Sequence, residues 1–82
     1  MEIIVNRVYR HFKNDYYFVI DVAQDSESDK EYVVYRCLYG DGKLYVREKE
    51  MFLSKVDKNK YPDAKQEYRF ELMEITSKNN KE

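Results

Sequence analysis

The sequence predicts an all-β fold: a small SH3-like barrel or a strongly bent antiparallel sheet of five to six strands. Three observations carry that expectation. Apolar and polar residues alternate with a period of two along most of the chain, the periodicity of strands rather than helices. Turn-forming residues separate the alternating runs. Nine Tyr and four Phe, with no Trp, supply the ring-shaped side chains that strands favour.

The first run, Val8 to Lys13, sends Tyr9 and His11 to one face and Val8, Arg10 and Phe12 to the other. Asn14-Asp15 suits a tight hairpin turn, because short polar side chains tolerate left-handed backbone angles. The run from Tyr16 to Ala23 is apolar on both sides, with Tyr16, Phe18, Ile20 and Val22 opposite Tyr17, Val19 and Ala23. A polar loop from Gln24 to Glu31 leads into a third strand, Tyr32 to Tyr39. Gly40-Asp41-Gly42 holds both glycines and closes the next hairpin, returning as Lys43 to Arg47. Glu48-Lys49-Glu50 reads as a charged corner or one helical turn, before apolar alternation resumes from Met51 to Val56. Asp57 to Lys65 is a polar connection around Tyr61-Pro62, and Glu67 to Ile75 reads as a last strand, although Leu72, Met73 and Ile75 also suit a helical face. Residues 1–75 are expected to form one domain and 76–82 a frayed polar tail. Closing or bending such a sheet hides edges that otherwise aggregate.

A chain of 82 residues buries only about 60–65% of its unfolded surface. Each buried aromatic removes roughly 150–250 Å² from water, and the Tyr excess keeps a hydroxyl at the rim of a thin core. Fifteen Lys+Arg against sixteen Asp+Glu leave a net charge of −1, without the basic footprint of proteins that grip phosphate backbones. Cys37 stands alone beside one His, so neither a disulfide nor a structural zinc site is expected. The apolar run at the N-terminus is too short for a signal peptide, and no stretch approaches a membrane span, so the chain reads as cytoplasmic.

Several segments carry a resemblance. They are Tyr9-Arg10-His11-Phe12-Lys13, Tyr17-x-Val19, Ser26-Glu27, Val33-Val34-Tyr35-Arg36-x-Leu38-Tyr39-Gly40-Asp41 and Val46-Arg47-x-x-Glu50-Met51-Phe52. In this order, over residues 7 to 56, they resemble the bacterial family catalogued as domain of unknown function 1653. The resemblance implies a fold family and no activity. The chain departs from that pattern at Asn14, where the family usually has Gly, and at Asp21, where a small residue is usual. It also has Asp25-Ser26-Glu27-Ser28 in place of His-Ser-Glu-Thr, so no role for a His there carries over.

The candidate binding residues are polar ones set within apolar strands: Arg10, His11, Arg36, Tyr45 and Arg47. If the first, third and fourth strands neighbour one another, Arg10, Arg36 and Arg47 converge beside Tyr45. Guanidinium forks with aromatic rings suit a carboxylate, a phosphate or a planar ligand. The competing reading is stronger on residue type: such arginines lay their stems across rings and pair with Asp41, Glu48 or Glu50 to brace the sheet. His11 has no acid or nucleophile at a recognisable spacing, and Cys37 reads as a small buried hydrophobe. The expected function is therefore a non-catalytic binding or adaptor module with a basic-aromatic surface. Its partner would be a protein or a small anionic ligand, with no cofactor, metal or membrane, and with nucleic acid disfavoured by net charge. The alternatives are a small enzyme using His11 with Asp41 or Glu50, and a single-stranded nucleic acid binder that stacks bases on Tyr.

Overall fold

The computed structural model describes residues 2–75, so the expected tail at 76–82 lies outside the described residues. The elements are β1 (Arg7–His11), β2 (Tyr16–Gln24), β3 (Glu31–Cys37), β4 (Leu44–Glu48), a single helical turn α1 (Lys49–Phe52) and β5 (Phe70–Leu72). All strands join one antiparallel sheet in the order β4-β3-β2-β1-β5. No helix among the described residues is long and apolar enough to cross a membrane.

Of the two predicted architectures, the bent sheet is the one formed. β4 and β5 are edges, each paired on one side only, so the sheet does not close. Strand neighbours lie about 4.8 Å apart, which would put these edges roughly 19 Å from each other in a flat sheet. Instead, the Arg47 guanidinium of β4 lies 5.7 Å from the centre of the Phe70 ring of β5. The Tyr35 ring of β3 is 5.8 Å from the same ring. The sheet therefore curls into a trough, and its inner face carries the core: Tyr9, Tyr17, Val19, Val33, Tyr35 and Cys37, joined by Phe70. Phe52 plugs the trough, stacked on Phe70 at 3.9 Å and 4° and met edge-on by Tyr9 and Tyr35.

The outer face is a different surface. Leu38, Leu44 and Val46 are all about half exposed or more. Directly opposed residues share a face in an antiparallel pair, so the Phe18↔Arg36 and Arg36↔Leu44 pairings put Arg36 on this outer side.

Several sequence expectations need correction. β2 and β3 slip register between Val19 and Asp21, so Ile20 is an extra residue, and Val22 pairs with the buried Val33 instead of sharing the side of Phe18. Strict alternation breaks at such a bulge, and it also adds bend. β1 stops at His11, because Asn14 adopts φ 77° and the turn closes through Asn14 N–H to the His11 carbonyl and His11 N–H to the Asp15 carbonyl. The hairpin at Gly40-Asp41-Gly42 is as expected, both glycines having positive φ.

Met51 to Val56 is not a strand. The chain turns at α1, closed by Leu53 N–H to the Lys49 carbonyl, and this drops Phe52 into the core. Lys55 makes only an isolated bridge to Tyr68. The last strand shortens from Glu67–Ile75 to Phe70–Leu72, and no helix forms there. The preceding residues are held by other bonds: Arg69 N–H donates to the Ser54 carbonyl, while Phe12 N–H donates to the Arg69 carbonyl. Gln66, the one buried polar side chain among the described residues, donates through Nε2 to the carbonyls of Arg10 and Tyr68 and accepts from Arg10 Nε at 2.8 Å.

Candidate functional site

The curl of the sheet opens a cavity of about 290 Å³ at one end of the trough. Its walls come from elements far apart in sequence. The β1–β2 hairpin contributes His11, Lys13 and Asp15, β4 contributes Tyr45 and Arg47, and the segment leading into β5 contributes Arg69. Tyr17, Tyr35 and Tyr61 bring phenol rings to the same space.

The cationic groups here are not neutralised by ion pairs. The described residues form four salt bridges, and none involves Lys13, Arg47 or Arg69. Arg47 Nε donates to the Tyr35 hydroxyl at 3.2 Å, and Arg69 Nε donates to Ser54 Oγ at 3.1 Å. Each fork is thus fixed through Nε, leaving its terminal nitrogens without a carboxylate partner among the described residues. A guanidinium held in that way is set to receive a planar or tetrahedral oxyanion.

His11 reports the local field. Partial burial, then the charges of Arg47, Arg69 and Lys13, lower its pKa from 6.5 to about 4. Geometry agrees: the Lys13 backbone N–H donates to His11 Nδ1 at 3.1 Å, so Nδ1 is unprotonated and Nε2 carries the hydrogen. The ring is a neutral donor packed edge-on to Phe70. Tyr17 is held above the usual phenol range by burial, partly offset by its hydrogen bond with Tyr39. Tyr39 is raised by that same bond, and Tyr45 by the Cys37 sulfur first and by burial second. These hydroxyls therefore stay protonated at neutral pH.

The His11 shift fixes the sign of a pH effect. The unfolded ring takes a proton near pH 6.5 and the folded one only near 4, so stability is intact above pH 6.5 and falls as pH drops toward 4. Solvent reaches the half-open cavity and screens the effect, so we expect about 1–2 kcal/mol. Urea unfolding at pH 7.5 and 4.5 checks this: wild type should lose that much more stability than His11→Gln, and equal losses would refute it.

The structure brings together three of the five sequence candidates, His11, Tyr45 and Arg47. Arg10 and Arg36 do not converge with them. Arg10 alternates away from His11 and is held by Gln66 and by Glu71 at 3.3 Å, beside a separate recess. Arg36, on the outer face, donates to the Gly42 carbonyl. Of the bracing carboxylates expected for these arginines, Glu48 pairs with Lys30 instead, and Asp41 and Glu50 make no salt bridge among the described residues. Neither Asp41 nor Glu50 lines the His11 cavity.

Sequence reasoning missed Lys13, Asp15 and Arg69. Lys13 and Asp15 flank the turn residue Asn14 and follow His11 into the cavity. Regular alternation places Arg69 among the outward charges of a strand. Its neighbour Tyr68 makes only an isolated bridge, and that irregular backbone lets both Arg69 and Phe70 serve the inner side.

The family described as a protein of unknown function (DUF1653) matches residues 7–72. The chain belongs to the DUF1653 family. A crystal structure of a DUF1653 protein from Bordetella bronchiseptica is similar throughout, with a TM-score of 0.71 and 27% identity, covering 93% of this chain and 95% of that one. No curated protein matches. The DUF1653 match takes in the β1–β2 hairpin, β4 and Arg69, and so every element that lines the cavity.

Proposed function

We propose that this DUF1653 domain is a non-catalytic binding module whose inner cavity takes a small anionic ligand. One observation carries the reading: Lys13, Arg47 and Arg69 line a single cavity and share no salt bridge among the described residues. Arg47 and Arg69 are partly buried, where charge is costly to keep without a counter-charge, while Lys13 is exposed at the rim. Tyrosine hydroxyls and the neutral His11 N–H add donors that fix an oxyanion's orientation. The volume, about 290 Å³, is at the small end for ligand sites.

The enzyme alternative needs Asp41 or Glu50 beside His11, and neither reaches the cavity. The His11 Nδ1 is instead occupied by a backbone N–H, and the ring is surrounded by cations that disfavour its acting as a proton acceptor.

Titrating the 15N-labelled protein with inorganic phosphate at low ionic strength tests the proposal. Saturable amide shifts should concentrate at Lys13, Asp15, Tyr45 to Arg47 and Arg69. The double variant Arg47→Gln, Arg69→Gln should weaken binding by about tenfold or more, as expected for losing charge-assisted hydrogen bonds. Shifts that do not saturate, or that ignore the double substitution, would sink it.

A further inference from the structure

Given the anion-binding reading, on which the present proposal rests, the charge balance of the cavity also narrows the class of anion. Among the described residues, three cationic side chains, Lys13, Arg47 and Arg69, line the cavity with a single carboxylate, Asp15. His11 contributes no charge, since its Nδ1 accepts the Lys13 backbone N–H. The surplus is two positive charges. A monoanion such as a carboxylate or a sulfate ester leaves one of them without a partner, whereas a phosphomonoester above its second pKa, near 6, is a dianion that matches both.

The space next to the cavity indicates where the rest of the ligand goes. A second recess of about 330 Å³ shares Phe12, Lys13 and Tyr61 with the first, and continues over Pro62 and Ala64. Its own charges, Lys60 and Asp63, cancel once Lys13 is counted with the first cavity. Phe12 and Tyr61 meet edge to face at 4.9 Å and form the ridge between the two spaces. One end of this double site is cationic and rich in donors. The other offers apolar surface at Phe12, Pro62 and Ala64, with the Lys13 and Lys60 ammonium groups 5.2 and 5.5 Å from the centre of the Tyr61 ring. A bare inorganic ion uses only the first.

We propose that the cavity is selective for a small phosphomonoester, with the dianionic phosphoryl group at the Lys13, Arg47 and Arg69 end and the organic group over Tyr61 and Pro62.

Phenyl phosphate and phenyl sulfate are shape-matched probes that differ in charge at about pH 7.5. By isothermal titration with the whole chain, phenyl phosphate should bind about tenfold tighter or better. Arg69→Gln should bring the two affinities together, and Arg69→Lys, which keeps the charge, should retain part of the preference. Ala64 lines the second recess and not the first, so Ala64→Leu should weaken phenyl phosphate while leaving inorganic phosphate unchanged; equal weakening of both would overturn the placement of the organic group. Equal binding of the phosphate and sulfate esters overturns the dianion selectivity and leaves the anion site standing. Binding of neither removes both proposals. A phosphotyrosyl peptide and a free sugar phosphate, titrated alongside, distinguish a protein-borne group from a metabolite; tighter binding of either than of its sulfate counterpart supports the proposal.

Discussion

Phe52→Ala is expected to destabilise the domain by about 3–5 kcal/mol, the range for removing a buried aromatic ring. Phe52 is 1% exposed and is the one buried residue of α1. Its ring stacks on Phe70 and receives the edges of Tyr9 and Tyr35, so truncation opens a void that touches β1, β3 and β5 together. Those strands are held at fixed separations by their own ladders and cannot collapse onto the space. The loss is a large part of the total for a domain of this size. Phe52→Leu should cost less, because most of the volume remains. The chain has no Trp and nine Tyr, so tyrosine fluorescence during urea unfolding is a direct readout. A midpoint within error of wild type for Phe52→Ala would refute the trough-plug role.

The second large effect is expected at Gln66. Its side chain ties the polar segment before β5 to β1 through the Arg10 carbonyl and guanidinium, and also donates to the Tyr68 carbonyl within its own segment. Gln66→Ala removes a charge-assisted bond and leaves two backbone acceptors short of a donor, for an expected cost of about 2–3 kcal/mol. Gln66→Glu separates the contributions: it keeps an acceptor for Arg10 Nε but loses the Nε2 donor and places negative charge against carbonyl oxygens. Wild-type stability in both variants would show that Gln66 is not a tie.

How much of this was legible in the sequence depended on range. Alternation and turn chemistry are local, and they located β1 to β4 with both intervening tight turns, at Asn14-Asp15 and Gly40 to Gly42. The bulge at Ile20 was not legible, because one extra residue leaves composition unchanged while reversing which side Val22 takes. α1 was only half legible: Glu48-Lys49-Glu50 suggested a corner or one helical turn, but Met51, Phe52 and Leu53 are too few to distinguish its continuation from an alternating strand. Gln66 sits in a run of polar residues and carries no mark of burial. In the site, His11, Tyr45 and Arg47 stood out as polar residues in apolar strands. Arg10 and Arg36 stood out equally and face elsewhere, since strand register decides which arginines meet and register is a property of pairs. Arg69 was missed because its position depends on a backbone irregularity next to a three-residue strand.

The placement of β5 has a kinetic consequence. β1 to β4 pair with their neighbours in the chain, so their hairpins close over short loops, whereas His11 meets Phe70 only after about sixty residues have been looped back. Entropy makes that closure a late step in folding. Arg69 arrives with it, so a partly folded chain with all four hairpin strands in place still lacks a cavity wall. On the proposed binding reading, a ligand held there slows the undocking of β5 and leaves the rate of forming the earlier hairpins untouched.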